Sequence, residues 1–452
     1  MKAEGTFHGY LAAFSYTGAT LPDFSKSTIS REGLTGPRIG YLLSRYPAIS
    51  HTFFLKEVLG LRDRGLTIET ASINLPDRPV EALPPVEVSE SDQTFYVKPK
   101  GFMSAGFRVL AIAVENPAVT VRGILAALAL GGWDLKARAF AFFYLAEALL
   151  VGSWMRRRSL PHLHVHFGGA VATVGVLTAK AWQIPWSLTL HGPDEFFDQG
   201  SFYLRQKIQS ASFVICISDF CKSQVLRIVP DAQENRLEVV RLGVDCVALP
   251  LLRPTSGSTS GLDQSNLLRL VCTGRMVAAK GHRILLQALA SLDLSGFEFT
   301  CALIGDGPER RSLTDLSIQL GIAERVRFLG AMGHAETLAE VAKGEVFVLA
   351  SFAEGLPIAL MEAMALGLTC VSTTIAAIPE LIRDGENGIL VSPANPEALG
   401  KALVELAGDV ARRQRLRQRA RETVEAHYNL ATNLDALARV WKRRVPGASE
   451  RV

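Results

Sequence analysis

Two runs of alternating strand and helix patterns, parted by one stretch of linker composition, constrain this chain more than any other feature. The first run opens near Arg38 with IGYLL (39–43), an apolar run of buried-strand type. Phe53–Arg64 has helical spacing and ends at Gly65, a C-cap signal. LTIETASI (66–73) alternates like a strand, and a long helical block fills roughly 105–158. The order then resumes with strand 163–167, helix 170–182, strand 186–190, strand 212–217, helix 220–228 and strand 236–240. Residues 250–266, PLLRPTSGSTSGLDQSN, are rich in Pro, Ser, Gly and Thr and read as a linker. The second run has strands at 267–274, 297–305, 325–330, 346–351 and 369–373, with helices between them and basic helices over 411–444. Strands alternating with helices of this length predict an α/β chain of parallel sheets covered on both faces. Two such domains place a cleft between the carboxyl ends of their sheets, where doubly wound folds bind ligands.

With 48% hydrophobic and 20% charged residues, the chain has ample material for two cores and is not a disordered polymer. Six cysteines in 452 residues, without a CxxC pair, exclude a disulfide-rich module and argue against a structural zinc site. The net charge of +4 is unevenly spread. Residues 401–452 hold 12 Lys+Arg against 6 Asp+Glu, and residues 98–158 hold 9 against 3. Such zones suit an anionic contact. The Arg run at 412–421 is expected to be a solvated helix face, so nucleic acid is the weakest partner class. Residues 1–37 lack the apolar run of a signal peptide and are expected to form a weakly ordered extension, with the cytoplasm as the default compartment. The stretch 139–155, AFAFFYLAEALLVGSWM, is followed by three arginines. It reads as a core helix or as an interfacial helix with a basic flank.

Several strand-end segments carry residues suited to chemistry. FAEGLPIALME (352–362) follows a strand and opens a helix, with Pro357 expected in the first turn. Free N–H groups there form an anion site, Gly355 lets backbone approach a ligand, and Glu354 and Glu362 offer acceptors on either side. A phosphate flanked by polyols describes a sugar nucleotide, although two solvated acids would look the same. GRMVAAKG (274–281) sets Arg275 and Lys280 between Gly274 and Gly281, which suits a diphosphate or an ordinary basic turn. It is not a P-loop. Gly305-Asp306-Gly307-Pro308 makes a tight turn at the sheet edge but fails as a dinucleotide fingerprint. His191 ends a strand at the expected cleft, where it would donate to a sugar or phosphate. His164 and His166 share a strand face without an evident third metal ligand. Ser50-His51-Thr52 opens the helix after the first strand, either as a cap or on an acceptor side.

Taken together, these residues resemble the retaining GT-B glycosyltransferases of family 4. The specific piece is Glu354-x7-Glu362 within EGLPIALMEAMALG, joined in order by GRMVAAKG, LIGDGP and IPELIRDGENGILVSP. YLLSRYPAISHTFFLKEVLGL, HVHFGG and LTLHGPDEF are similar to a subgroup that includes colanic-acid and other exopolysaccharide transferases. The resemblance implies two Rossmann-like domains facing across a cleft: an acceptor-side domain over 38–249 and a donor domain over 267–425. It also implies a C-terminal helix, 426–452, packing back toward the first domain. By the same resemblance, Arg275 and Lys280 hold the donor diphosphate, Glu354 the sugar hydroxyls and Glu362 the ribose. Gly274, Gly305, Gly355, Leu356 and Pro357 line the donor site, and His191 reaches it from the first domain. Ser50, His51, Thr52 and His166 fall on the acceptor side. No metal or other cofactor is implied. The partners implied are a nucleotide-sugar donor, a saccharide or lipid-linked saccharide acceptor, and an anionic membrane surface at the inner face of the cytoplasmic membrane. Related segments often read SETF where this chain has Ser50-His51-Thr52-Phe53, and the first loop lacks a common Gly-Gly. A sugar-nucleotide epimerase and a non-catalytic sugar-nucleotide-binding protein are the rival readings.

Overall fold

The apolar runs become two separate sheets in which every strand pairing is parallel. The structure, a computed structural model, describes residues 36–48, 52–98, 102–131, 135–197, 200, 203–231, 234–249, 267–445 and 447. Ser50, His51, the segment 250–266 and residues 1–35 lie outside the described residues.

The first sheet has strands β1 (Arg38–Arg45), β2 (Thr67–Asn74), β3 (Phe95–Tyr96), β4 (Leu163–His166), β5 (Trp186–Leu190), β6 (Phe213–Cys216) and β7 (Leu237–Val239), in the spatial order 3-2-1-4-5-6-7. The second has β8 (Leu268–Thr273), β9 (Phe299–Ile304), β10 (Val326–Gly330), β11 (Val346–Leu349), β12 (Thr369–Thr373) and β13 (Ile389–Val391), in the order 10-9-8-11-12-13. Both sheets grow outward from a central pair, β1/β4 and β8/β11, where the order reverses and a crevice opens at the carboxyl edge. Strands β4, β5 and β11 are buried along their length; β11 (VFVL) is an apolar run, whereas β4 (LHVH) and β5 (WSLTL) also bury His, Ser and Thr side chains.

The structure differs from the sequence expectation in several places. The block 105–158 resolves into three helices, Phe102–Glu115, Pro117–Gly131 and Leu135–Arg157. Strands β3 and β13, of two and three residues, are not among the strands expected from the sequence. Pro357 is the residue before the helix Ile358–Leu366, with extended backbone at φ −74° and ψ 111°, rather than a member of its first turn.

The helix Val410–His427 lies on the second domain, with Ala420 and Val424 buried among Met361 and Ala365. Its arginines are not simply a solvated face: Arg421 donates to the carbonyls of Cys246, Leu249 and Ala365, and Arg413 to that of Ala407. The final helix, Leu430–Arg444, crosses to the first domain. There Trp441 is fully buried, 4.8 Å from the His164 ring and 5.5 Å from Phe213. A truncation of this indole to Ala costs about 3–5 kcal/mol by the usual cavity penalty. Glu380 makes a further tie between the halves. Its carboxylate accepts from the N–H groups of Asp219 and Phe220, at 3.1 and 2.7 Å, which open the helix Asp219–Ile228 of the first domain. A carboxylate on free helix N–H groups is a favourable cap.

Candidate active site

Three loops meet at the crevice of the second sheet, and glycines make their approach possible. A Cβ on Gly281 would lie 1.9 Å from the Ala350 carbonyl oxygen, joining the loop after β8 to the loop after β11. A Cβ on Gly305 would lie 2.0 Å from the Gly274 carbonyl oxygen, joining the loop after β9 to that after β8. Gly281 and Gly305 also have positive φ, +63° and +135°, which side chains resist. Gly305 thus serves the packing of the loops behind the crevice.

The tightened loops bring Lys280 Nζ to 2.6 Å from Glu354 Oε1. Ser351 Oγ donates to the same oxygen at 2.7 Å. Glu354 is 7% exposed, so these two donors take the place of water around its carboxylate. Arg275 is exposed on the loop after β8. Leu356 turns its side chain into the core beside Leu360, leaving only its backbone for a ligand. Beyond it begins the helix Ile358–Leu366, whose first N–H groups have no intrahelical partner. Glu362 is buried one turn on and accepts from His334 Nε2 at 2.7 Å. His334 opens the helix His334–Val341 and had no part in the sequence motifs.

Opposite stands His191, at the end of β5. Its carbonyl oxygen would be 2.1 Å from a Cβ on Gly355, so the two domains touch at this point. His191 is held from behind. Glu195 accepts from the backbone N–H groups of His191 at 2.7 Å, Gly192 at 2.6 Å, and Gly168. Lys207 Nζ donates to the carbonyls of Gly168 at 2.8 Å and Gly169 at 2.7 Å, fixing the neighbouring loop. His191 Nε2 is 3.2 Å from His166 Nδ1, and His166 Nε2 is 3.3 Å from Glu57 Oε1. His166 is 1% exposed and therefore sits behind His191 rather than facing an acceptor. Thr52 is the first residue of the helix Thr52–Arg62, on the same edge of the sheet. The sequence carries Glu195 only inside the segment LTLHGPDEF, and singles out none of Ser351, His334, Lys207 and Glu57. Ser351 lies only three residues from the acid it serves; the others act through contacts distant in sequence or through backbone, which a motif does not display.

His164 is also buried, bridged to Ser187 at 2.8 Å and Thr189 at 3.0 Å. Among the described residues no three His, Cys, Asp or Glu side chains are grouped to hold a metal ion. Burial pushes His162 down to about 3 and His282 to about 4, and holds His164 well below its ordinary 6.5. Burial raises Glu195 to about 7 from its ordinary 4.5, against the opposing pull of its three N–H donors and Lys207. Between pH 6.5 and 4.5 the three histidines gain protons only on unfolding, so each loses stability as acid is added. Over the same window Glu195 holds a proton that the unfolded chain releases, so it gains stability. Three groups against one leave a net uptake of protons on unfolding, so together these groups lower stability as the pH falls through this window. Thermal unfolding across that window should therefore show a loss of Tm. A flat profile would mean that the histidines are accessible in the folded chain.

Two family descriptions match the chain: "Glycosyltransferase Family 4" over residues 100–247 and "Glycosyl transferases group 1" over residues 268–409. The putative colanic acid biosynthesis glycosyltransferase WcaL of Escherichia coli is 25% identical over 411 residues, covering 87% of this chain and 96% of the relative. The lipopolysaccharide core biosynthesis glycosyltransferase LpsE of Rhizobium meliloti is 34% identical over 163 residues, 36% of this chain and 46% of the relative. The crystal structure of Anabaena Alr3699/HepE in complex with UDP superposes with a TM-score of 0.67 at 18% identity, covering 90% of this chain and 100% of that one. That likeness is one of fold: two parallel-sheet domains of the GT-B arrangement.

Proposed function

Because the chain belongs to the group 1 glycosyltransferases with a family 4 first domain, we propose that it moves a sugar from a nucleotide-diphosphate donor with retention at the anomeric carbon. The acceptor in this reading is a saccharide or lipid-linked saccharide of an exopolysaccharide or lipopolysaccharide. The enzyme would work at the inner face of the cytoplasmic membrane. The relatives named for colanic acid and lipopolysaccharide core biosynthesis support the acceptor class.

The observation that carries the proposal is the convergence on one crevice of Lys280, Glu354 and a helix start from the second domain with His191 from the first. In this reading the donor diphosphate lies between Lys280, Arg275 and the first N–H groups of the helix Ile358–Leu366. These charges stabilise the diphosphate as the glycosidic C–O bond breaks, which is where a transferase gains most. Glu354 takes sugar hydroxyls, and Glu362, steadied by His334, takes the ribose. His191 donates to the sugar from the opposite wall. The acceptor oxygen attacks on the face the diphosphate leaves, and a diphosphate oxygen takes its proton, so no protein nucleophile is required. Two protein cations and a helix start supply the positive charge, so the reading needs no metal.

A thermal-shift panel of nucleotide sugars tests donor binding directly. One donor class should raise Tm through mass action, by ~2.7 kcal/mol of stabilisation at a hundredfold excess over Kd. No shift with any nucleotide sugar would sink the proposal. Epimerisation of the selected donor without acceptor would replace it with the epimerase reading.

A further inference from the structure

Of the eighteen large apolar side chains exposed among the described residues, eleven lie between Phe107 and Phe143. Phe107, Leu110, Val114, Leu125 and Leu135 are between 61% and 79% exposed. They stand on the outward sides of the helices Phe102–Glu115, Pro117–Gly131 and Leu135–Arg157. The inward sides are core: Ala127, Leu130, Leu145 and Leu149 pack with the strands of the first sheet. The stretch Arg138–Arg157 is long and apolar enough to cross a membrane, but 61% of its most apolar part is buried inside the protein. A helix anchored in that way stays with its domain, and its partner must come to it.

The charge around this face says what that partner is. Residues 98–158 hold nine Lys+Arg and three Asp+Glu. One of the acids, Glu147, is buried and paired with Lys98 at 2.8 Å, so it adds little to the outer field. Arg108, Arg156, Arg157 and Arg158 are exposed. Beside Arg156 opens a cavity of about 420 Å³, lined also by Arg122, Ser159, Trp182 and Gln183. The Arg156 guanidinium lies 5.6 Å from the Trp182 ring centre, and Arg122 Nε donates to the Ala181 carbonyl at 2.9 Å. A second copy of the chain docked through a twofold axis would set these like charges against one another. An anionic bilayer instead offers hydrocarbon to the apolar side chains and phosphate to the arginines.

We propose that the three-helix face of residues 102–157 is a membrane-docking surface that lies in the plane of an anionic bilayer, with the Arg122–Arg156 cavity receiving a lipid phosphate. Docking would keep the first domain at the interface without a spanning helix. The surface is independent of the transfer chemistry, since it includes no residue of the crevice.

Flotation of the full chain with vesicles tests it. Vesicles of phosphatidylglycerol mixed into phosphatidylcholine should carry the protein, and phosphatidylcholine alone should carry at least ~10-fold less. Salt at ~1 M, where charges are screened beyond ~3 Å, should release most of it. The variant Arg156→Glu/Arg157→Glu/Arg158→Glu, and separately Phe107→Ser/Leu125→Ser, should each lose vesicle binding while keeping the nucleotide-sugar thermal shift. That shift verifies folding and leaves the transfer reading untouched. Equal binding to neutral vesicles, or wild-type binding by both variants, overturns the proposal. So does a concentration-dependent dimer that hides the face in sedimentation.

Discussion

Lys280→Ala should lower kcat/KM for the donor by ~100- to 1,000-fold, the usual cost of removing one charge-stabilising donor from a transfer site. Lys280 and Glu354 come from loops on two different strands and meet at 2.6 Å. The Lys280 side chain is 27% exposed, so it has one face toward its carboxylate and one toward the crevice. Removing it also strips a counter-charge from a carboxylate that is 7% exposed, leaving only the Ser351 hydroxyl. That loss should destabilise the fold by about 1–2 kcal/mol, less than a fully buried pair because Lys280 is partly wet. The two effects separate in the double variant Lys280→Ala/Glu354→Gln. Neutralising Glu354 should return most of the lost Tm, whereas turnover should stay low. Restored turnover in the double variant would show that Lys280 serves Glu354 and not the diphosphate.

The second large effect is expected from one methyl group. In Gly355→Ala the new Cβ would sit 2.1 Å from the His191 carbonyl oxygen. That oxygen has little freedom, since Glu195 holds the N–H groups of His191 and Gly192 at 2.7 and 2.6 Å. The seam must therefore open by roughly 1 Å, and a displacement of that size costs about a hundredfold in a positioned reaction. Gly355 lies in a half-buried bend outside every strand and helix, so Tm should change less than kcat/KM. Wild-type turnover in Gly355→Ala would mean that the two domains do not react across this seam.

The fold was legible because its central strands are buried on both faces, which writes them as apolar runs such as VFVLAS and LLRLVCTG. The two-residue β3 and three-residue β13 are not among the strands expected from the sequence. In the candidate site, Lys280, Glu354, Glu362 and His191 could be picked out because they lie in or just after the segments that run from strand ends into helices. What holds them could not. Gly281 lies against Ala350 and Gly355 against His191, contacts that join loops far apart in the chain. Glu195 acts on backbone N–H groups, which any sequence offers equally. His334 meets Glu362 from a helix that carried no motif. The arginines of 412–421 looked like a solvated row because a pattern of charges does not reveal which carbonyls lie within reach, and Arg421 finds three.

The most direct measurement follows the donor chosen by the nucleotide-sugar panel through reaction with acceptor, read by proton NMR at the anomeric centre. The account predicts release of nucleoside diphosphate together with a new glycosidic signal of the donor's own anomeric configuration, both lost in Lys280→Ala. A product of inverted configuration, or nucleoside diphosphate accompanied only by free sugar, would contradict it.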